Sequence, residues 1–409
     1  MGRRPRITAV AIVAAALAAS GGCAQLLDVS EAHEVSGDGA TGDSGPGGDS
    51  AAGGDSGAAA DTGAVAEGGG CFIDAEGGVE TLVSGQSFNP RNGIAYTTNT
   101  PSGPTLVWSA DTSKQQVPNL AWCALPGCSP SNGPPTQMDE VVVAQGHVYW
   151  LDTSELDDGG GVLTCDLATE GCTGQPTQAL AQSWPSSLPP ALPVLPLLSV
   201  DPGGTTLYFT TGTAVYSIPA DGAPHTSATL VADAGSFIND LILSPKGELE
   251  VATEAGVQGC PYADGGSCNL VTIMNMSGGA LRVADDGTNV YAGVASMNFD
   301  GGNQSTIVEC PGASNTSSSP CAAVDTFVSL TAVRGGGPVN GLAASGGRLY
   351  WALGNGTVQT CNPSVDCSFN GWSTLYTDYA VRYFAFDESS VYFRDSQAGT
   401  ILRACKPAD

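Results

Sequence analysis

A unit of about 42 residues repeated seven times, short alternating strands, and twelve cysteines that sort into pairs predict an all-β protein, a disulfide-rich seven-bladed β-propeller. The repeat is marked by Leu106-Val107-Trp108, Val148-Tyr149-Trp150, Leu207-Tyr208-Phe209, Leu249-Glu250-Val251, Val290-Tyr291-Ala292, Leu349-Tyr350-Trp351 and Val391-Tyr392-Phe393. Their third residues are 42, 59, 42, 41, 59 and 42 positions apart. That spacing suits a four-stranded blade, lengthened twice by insertions: a proline-rich stretch from Trp184 to Pro196 and a segment around Asn298 to Ser319.

Within a unit the pattern is clearest near Asn340. Gly341 to Ala344 read as a small-residue inner strand, Gly346-Gly347 as a turn, Arg348 to Leu353 and Gly356 to Cys361 as further strands, and Trp372 to Tyr376 as the outer one. Cysteines fall at one place in this scheme, between the third and fourth strands. The expected bridges are Cys123–Cys128, Cys165–Cys172, Cys260–Cys268, Cys310–Cys321 and Cys361–Cys367, with the third unit lacking one.

The seventh unit supplies only three strands before the chain stops at Asp409, and Val79 to Val83 read as the missing fourth. The sequence therefore predicts that the N-terminal strand completes the last blade, with Cys71–Cys405 equivalent to the internal bridges. On a chain-entropy view the short bridges contribute about 2–3 kcal/mol each and the long one roughly 5–6 kcal/mol. Metal binding is the competing use of paired cysteines. It fits poorly, because four to ten residues separate each pair and the chain holds three histidines, His33, His147 and His225.

The N-terminus points to export. Residues 1–22 combine three arginines, an apolar run from Ile7 to Ala19 and a small-residue cleavage site before Cys23, which reads as a signal peptide too short to span a bilayer. Cys23 stands where a lipoprotein signal places its lipidated residue, although Ser20 replaces the usual aliphatic residue; ordinary signal cleavage is the alternative. Residues 23–70 form an acidic Gly/Asp/Ala-rich segment without Lys or Arg, with acidic residues at Asp43, Asp49, Asp55, Asp61 and Glu67. It reads as a disordered linker of roughly 35–40 Å average reach. Residues 71–409 are the propeller. The expected location is the bacterial outer membrane or cell surface, through a lipid at Cys23, with a periplasm-facing or secreted protein as alternatives. A formal net charge of −27 argues against nucleic-acid binding.

Tyr149-Trp150-Leu151-Asp152, Tyr350-Trp351 and Tyr392-Phe393-Arg394-Asp395 resemble the tyrosine-tryptophan-threonine-aspartate (YWTD) and NHL-like propellers of lipoprotein receptors and bacterial surface lipoproteins. The likeness covers Cys71 to Asp409 and implies an extracellular domain used for protein or ligand binding. The receptor propellers have six blades, so six is the alternative count. As residues, the aromatics themselves read as packing between blades.

No nucleophile elbow, phosphate loop or His-Glu-x-x-His helix is present, and no catalytic residue is assigned. Aligning the inner strands places Asp139, Asp240, Asn340 and Arg382 at comparable positions, with Glu140 and Arg282 one step along. This polar ring at the axial mouth is the expected binding site. No cofactor or metal site is assigned; calcium at Asp157-Asp158, Asp285-Asp286 or Asp300 is weighed against ordinary acidic turns. The expected function is a binding or scaffolding module, monomeric, for a protein or glycan at the envelope. The alternative is an exported lyase or hydrolase acting on carbohydrate or a lactone. Partial reduction with peptide mapping is expected to recover Cys71 linked to Cys405, and any other partner for Cys71 refutes the covalent ring closure.

Overall fold

The computed structural model describes residues 79–86, 93–111, 118–135, 138–152, 161–168, 171–180, 197–261, 266–276, 278–297, 303–312, 321, 325–329, 337–365, 367, 371–377 and 381–407. Contacts divide the chain into Met1–Val65 and Ala66–Asp409, and the described residues all belong to the second unit. The signal peptide, Cys23, the linker and Cys71 lie outside the described residues.

The described strands make seven antiparallel sheets of four strands each. The innermost strands are, in order, Ile94–Thr97, Met138–Ala144, Leu198–Val200, Ile238–Leu243, Arg282–Asp285, Val339–Ser345 and Phe384–Phe386. Each touches the innermost strand of the next blade, and the seventh touches the first, so the ring is closed. The closure is the one the sequence predicts. Glu80–Val83 pairs with Thr400–Cys405 as the outer strand of blade seven, with Glu80 opposite Arg403, Thr81 opposite Leu402 and Val83 opposite Ile401. The six-bladed count is thereby excluded.

Every second strand is buried on both faces, which is why these strands read as nearly continuous apolar runs. Trp108, Trp150, Trp351, Tyr149, Tyr208, Tyr291, Tyr350, Tyr392, Phe209 and Phe393 are all fully enclosed between blades. Apart from a 3-10 turn at Pro363–Val365, no described segment is helical, and no described helix is long and apolar enough to cross a membrane.

The turns between first and second strands share a device. The carboxylate of Asp201 accepts the amides of Thr205 and Thr206, Asp286 those of Thr288 and Asn289, and Asp387 those of Ser389 and Ser390. Ser244 does the same for Lys246 and Glu248 in blade four. Each side chain satisfies donors that a tight reversal leaves unpaired.

All five short disulfides form as expected. Their first cysteines occupy one register, with Cys123, Cys165, Cys260, Cys310 and Cys361 opposite Leu106, Val148, Leu249, Val290 and Leu349. Blade three has Ile218 at that place, opposite Leu207. Cys405 is also disulfide-bonded, but it lies opposite Ser390, one step beyond this register. The expected equivalence of its bridge to the other five is therefore corrected: successive strand residues face opposite sides, so Cys405 points away from the side the other cysteines share.

The innermost strands crowd around the axis, and glycine is required where two of them meet. A Cβ on Gly93 would lie 2.7 Å from the Val141 amide nitrogen, and one on Gly341 2.4 Å from the Arg382 carbonyl oxygen. Gly341→Ala is expected to lower stability by about 1–3 kcal/mol through this overlap. Gly127→Ala, with nothing within 4 Å of its Cβ, is expected to change it by less than about 0.5 kcal/mol. Urea denaturation midpoints of the two variants check the difference.

Candidate functional site

Counting each innermost strand from its pairing with the second strand fixes the level of every residue that faces the axis. One level carries Gly93, Glu140, Leu197, Asp240, Arg282, Gly341 and Tyr383 from blades one to seven. Asn239, Asn340 and Arg382 stand one step before it. The sequence alignment puts Asp240 level with Asn340 and Arg382, and Glu140 and Arg282 one step along; the second part holds, and the first is corrected, since Asp240 stands level with Glu140 and Arg282. The cause is the turn that leads to the second strand: five residues lie between Leu243 and its partner Leu249 in blade four, against four between Ala344 and Leu349 in blade six and four between Phe386 and Val391 in blade seven. Three inner strands also carry a bulge, between Met138 and Val141, Ile238 and Asp240, and Val339 and Gly341, each holding an extra residue out of the ladder. Asp139 sits in the first bulge, and its side chain lies outside the described set.

The structure brings Glu140, Asp240, Arg282 and Arg382 together, close enough that each carboxylate senses both guanidinium groups. It adds Tyr383, which sequence reading missed, in the same field. All five side chains keep partial contact with solvent although they lie deep in the molecule, as expected of groups lining an axial channel.

Two carboxylates reach from one blade to the next. Glu140 accepts the Leu198 amide at 2.5 Å, tying blade two to blade three, and Asp240 accepts the Val283 amide at 3.0 Å, tying blade four to blade five. Arg282 is clamped by backbone carbonyls. Its Nε donates to Asn340 at 2.6 Å, and its Nη1 donates to Asn239 at 3.0 Å and Leu281 at 2.7 Å. Two of those acceptors are the bulged residues of blades four and six. The bulges thus present carbonyl oxygens to a guanidinium that spans three blades. Asn239, also absent from the sequence candidates, donates its side-chain amide to the Ala280 carbonyl at 2.9 Å.

Arg382 is used differently. Its guanidinium lies 5.4 Å from the Tyr383 ring centroid, and its buried Nε has no hydrogen-bond partner. No salt bridge within 4 Å joins either arginine to Glu140 or Asp240 among the described residues. Their charges face one another across the channel with hydrogen-bonding capacity left over.

The electrostatics follow from enclosure. Burial pushes the Glu140 carboxyl up to about 8, assisted by the Asp240 charge and opposed by the Leu198 amide, Arg382 and Arg282. Burial also raises Asp240, against the pull of Arg282. The Tyr383 hydroxyl is pushed up to about 12, first by burial and then by the Glu140 charge. Near neutral pH the site therefore offers a carboxyl able to donate a proton beside a fixed positive charge.

The remaining sequence candidates lie elsewhere. His225 pairs with Asp221 at 3.0 Å on the surface, and His147 packs 6.3 Å from the Tyr149 ring. Asp157, Asp158 and Asp300 lie outside the described residues.

No family model matches the sequence, and no curated protein matches it. Solved structures share its fold. A propeller in the crystal structure of the Mitotic Checkpoint Complex aligns with a TM-score of 0.54 at 12% identity, over 83% of this chain and 99% of that one. YCF48, solved bound to D1 peptide, aligns with a TM-score of 0.51 at 12% identity over 82% and 97%. The extracellular domain of the one component system BT4673 from B. thetaiotaomicron gives 0.52 at 10% identity, over 80% of this chain and 40% of that one. These likenesses show a β-propeller.

Because the folded carboxyl of Glu140 titrates above its unfolded value, the native state holds the extra proton between about pH 4.5 and 8. Its contribution is fully present below that window and is lost as pH rises through it. Wild type is expected to lose roughly 2–4 kcal/mol more stability than Glu140→Gln between pH 5 and pH 8, part of the full effect being screened by channel water. Urea unfolding of both proteins across that range checks it.

Proposed function

We propose that this chain is an exported, lipid-anchored propeller that binds a ligand in its axial channel at the cell envelope. The observation that carries the reading is the cluster of Glu140, Asp240, Arg282, Arg382 and Tyr383, held by five hydrogen bonds to backbone groups yet left with an unpartnered Arg382 Nε and a single hydrogen bond on Glu140. Rigid positioning by backbone, with charge left uncommitted, is what a preorganised recognition site needs. The ligand that fits carries an anionic group for Arg382 and a hydrogen-bonding group one residue's reach away for Glu140. A peptide end or an acidic sugar at the envelope has that chemistry. The basic, then apolar, start ending at Cys23 supports export and lipidation, and the five disulfides suit an oxidising, extracellular compartment.

A second reading, a lyase or hydrolase acting on carbohydrate or a lactone, is favoured by one observation. Glu140 retains its proton near neutral pH beside Tyr383 and two guanidinium groups, an arrangement suited to general acid catalysis.

Calorimetric titration of the full chain with short peptides, acidic oligosaccharides and neutral sugars separates these. A bound acidic ligand is expected to lose about 10- to 100-fold in affinity in Arg382→Ala, since hydrogen bonds to charged groups are worth about 1.5–3 kcal/mol. Affinity unchanged by that variant counts against the axial site, and ligand turnover abolished by Glu140→Gln favours the enzyme.

A further inference from the structure

Consecutive blades meet through one repeating pair of side chains. The middle residue of each repeat-marking triplet packs on the residue of the next blade's innermost strand that pairs with the first residue of that blade's own triplet. Tyr350 of blade six meets Phe386 of blade seven with ring centroids 5.1 Å apart, and Tyr392 of blade seven stacks on Tyr96 of blade one at 5.9 Å. The register of pairing shows that blades four and five place Glu250 and Asp285 at these same two positions. Elsewhere the first position holds Tyr149, Tyr208, Tyr291, Tyr350, Tyr392 or, in blade one, Val107. The second position holds Val143, Val200, Leu243 and Ala344 at four junctions and Phe386 and Tyr96 at two, so a carboxylate pair stands where the other junctions pack apolar and aromatic side chains.

Glu248 joins them from two residues before Glu250, on the same face of its strand. The three carboxylates each bring an oxygen within 4.8 Å of the others. Glu250 is 0% exposed, Asp285 6% and Glu248 7%. No N–H or O–H donor reaches either oxygen of Glu250 or Oδ2 of Asp285, and the Glu250 and Asp285 carboxyls lie within hydrogen-bonding distance of each other; Oδ1 of Asp285 accepts the Gly287 amide at 2.5 Å. Asp286, the adjacent acid, is already used: it caps its turn and accepts the Tyr291 hydroxyl at 2.9 Å.

An enclosed carboxylate without partners is among the costliest groups a fold can carry, and like charges beside it raise the cost. Burial and Asp285 hold the Glu250 carboxyl well above its ordinary range, with Glu248 adding to the effect and Lys246 opposing it least. A cation removes the conflict directly. Oxygens that each lie about 2.4 Å from a shared ion stand at most about 4.8 Å apart, which matches the observed cluster. An all-carboxylate donor set with no thiolate or imidazole selects a hard cation over zinc.

We propose that Glu248, Glu250 and Asp285 bind a calcium-class divalent cation at the junction of blades four and five. The site is separate from the axial channel, and the ion there does the work that apolar and aromatic packing does at the other junctions.

The test uses the full chain, stripped with a chelator and then titrated with calcium or magnesium while thermal unfolding is followed. Calcium at about a hundredfold excess over its Kd is expected to raise the Tm by roughly 3–6 °C. Glu250→Gln is expected to abolish that rise. Because that variant alone can simply be unstable, Glu250→Tyr combined with Asp285→Phe rebuilds the aromatic pair of the junction between blades six and seven. The double variant is expected to fold and to melt at one temperature with or without calcium. A wild-type Tm unmoved by either ion overturns the proposal, as does a rise that persists in the double variant, which would place any bound calcium elsewhere on this acidic protein.

Discussion

The structure depends on four residues near one end of the chain lying down on six near the other. Glu80–Val83 completes the sheet begun by Phe384–Phe386, and without it Thr400–Cys405 is an open edge with unpaired backbone groups. A propeller has no central core that survives its opening. Each blade buries its faces only against its two neighbours, so a ring missing one contact exposes two blade faces at once. The loop closed by this pairing runs through nearly the whole domain. Its entropic cost is offset by the other six junctions, all of which are local in sequence.

The junctions are alike in geometry and unlike in chemistry. Most are sealed by tyrosine, tryptophan and phenylalanine from the second strands. Toward the axis the apolar seal gives way to side chains that hydrogen-bond a neighbour's backbone, Glu140 to Leu198, Asp240 to Val283 and Arg282 to Asn340. The same groups that align the blades also put charge into the channel, so assembly and recognition share residues. That sharing explains why the polar ring is asymmetric. Blades one and six contribute glycines, where close approach of the strands leaves no room, and blades two, four, five and seven contribute the functional groups.

Most of the architecture was legible in the sequence because it is carried by repetition: aromatic spacing set the blades, cysteine spacing the bridges, and the three-stranded last unit the closure. The polar residues of the channel were legible as a set, since Asp240, Arg282, Asn340 and Arg382 begin inner strands. Their levels were not. A turn one residue longer leaves little mark in composition, and the one between Leu243 and Leu249 displaces Asp240 relative to Asn340 and Arg382. Tyr383 was passed over because it follows Arg382 just before a short strand, where only pairing reveals its level. Glu250 was visible as a break in the aromatic column, but its meaning depended on Asp285, 35 positions later and adjacent only through blade packing.

The placement of the disulfides has a consequence of its own. Each of the five described bridges closes a loop within one blade, between a third strand and its outer neighbour, and none joins two blades. Such bridges do little to hold the ring shut. What they do is make those loops tolerant of cutting: a peptide bond hydrolysed between Cys310 and Cys321, or between Cys260 and Cys268, leaves both new ends attached to the same sheet. A chain cut once between two such bridged cysteines therefore keeps every blade whole.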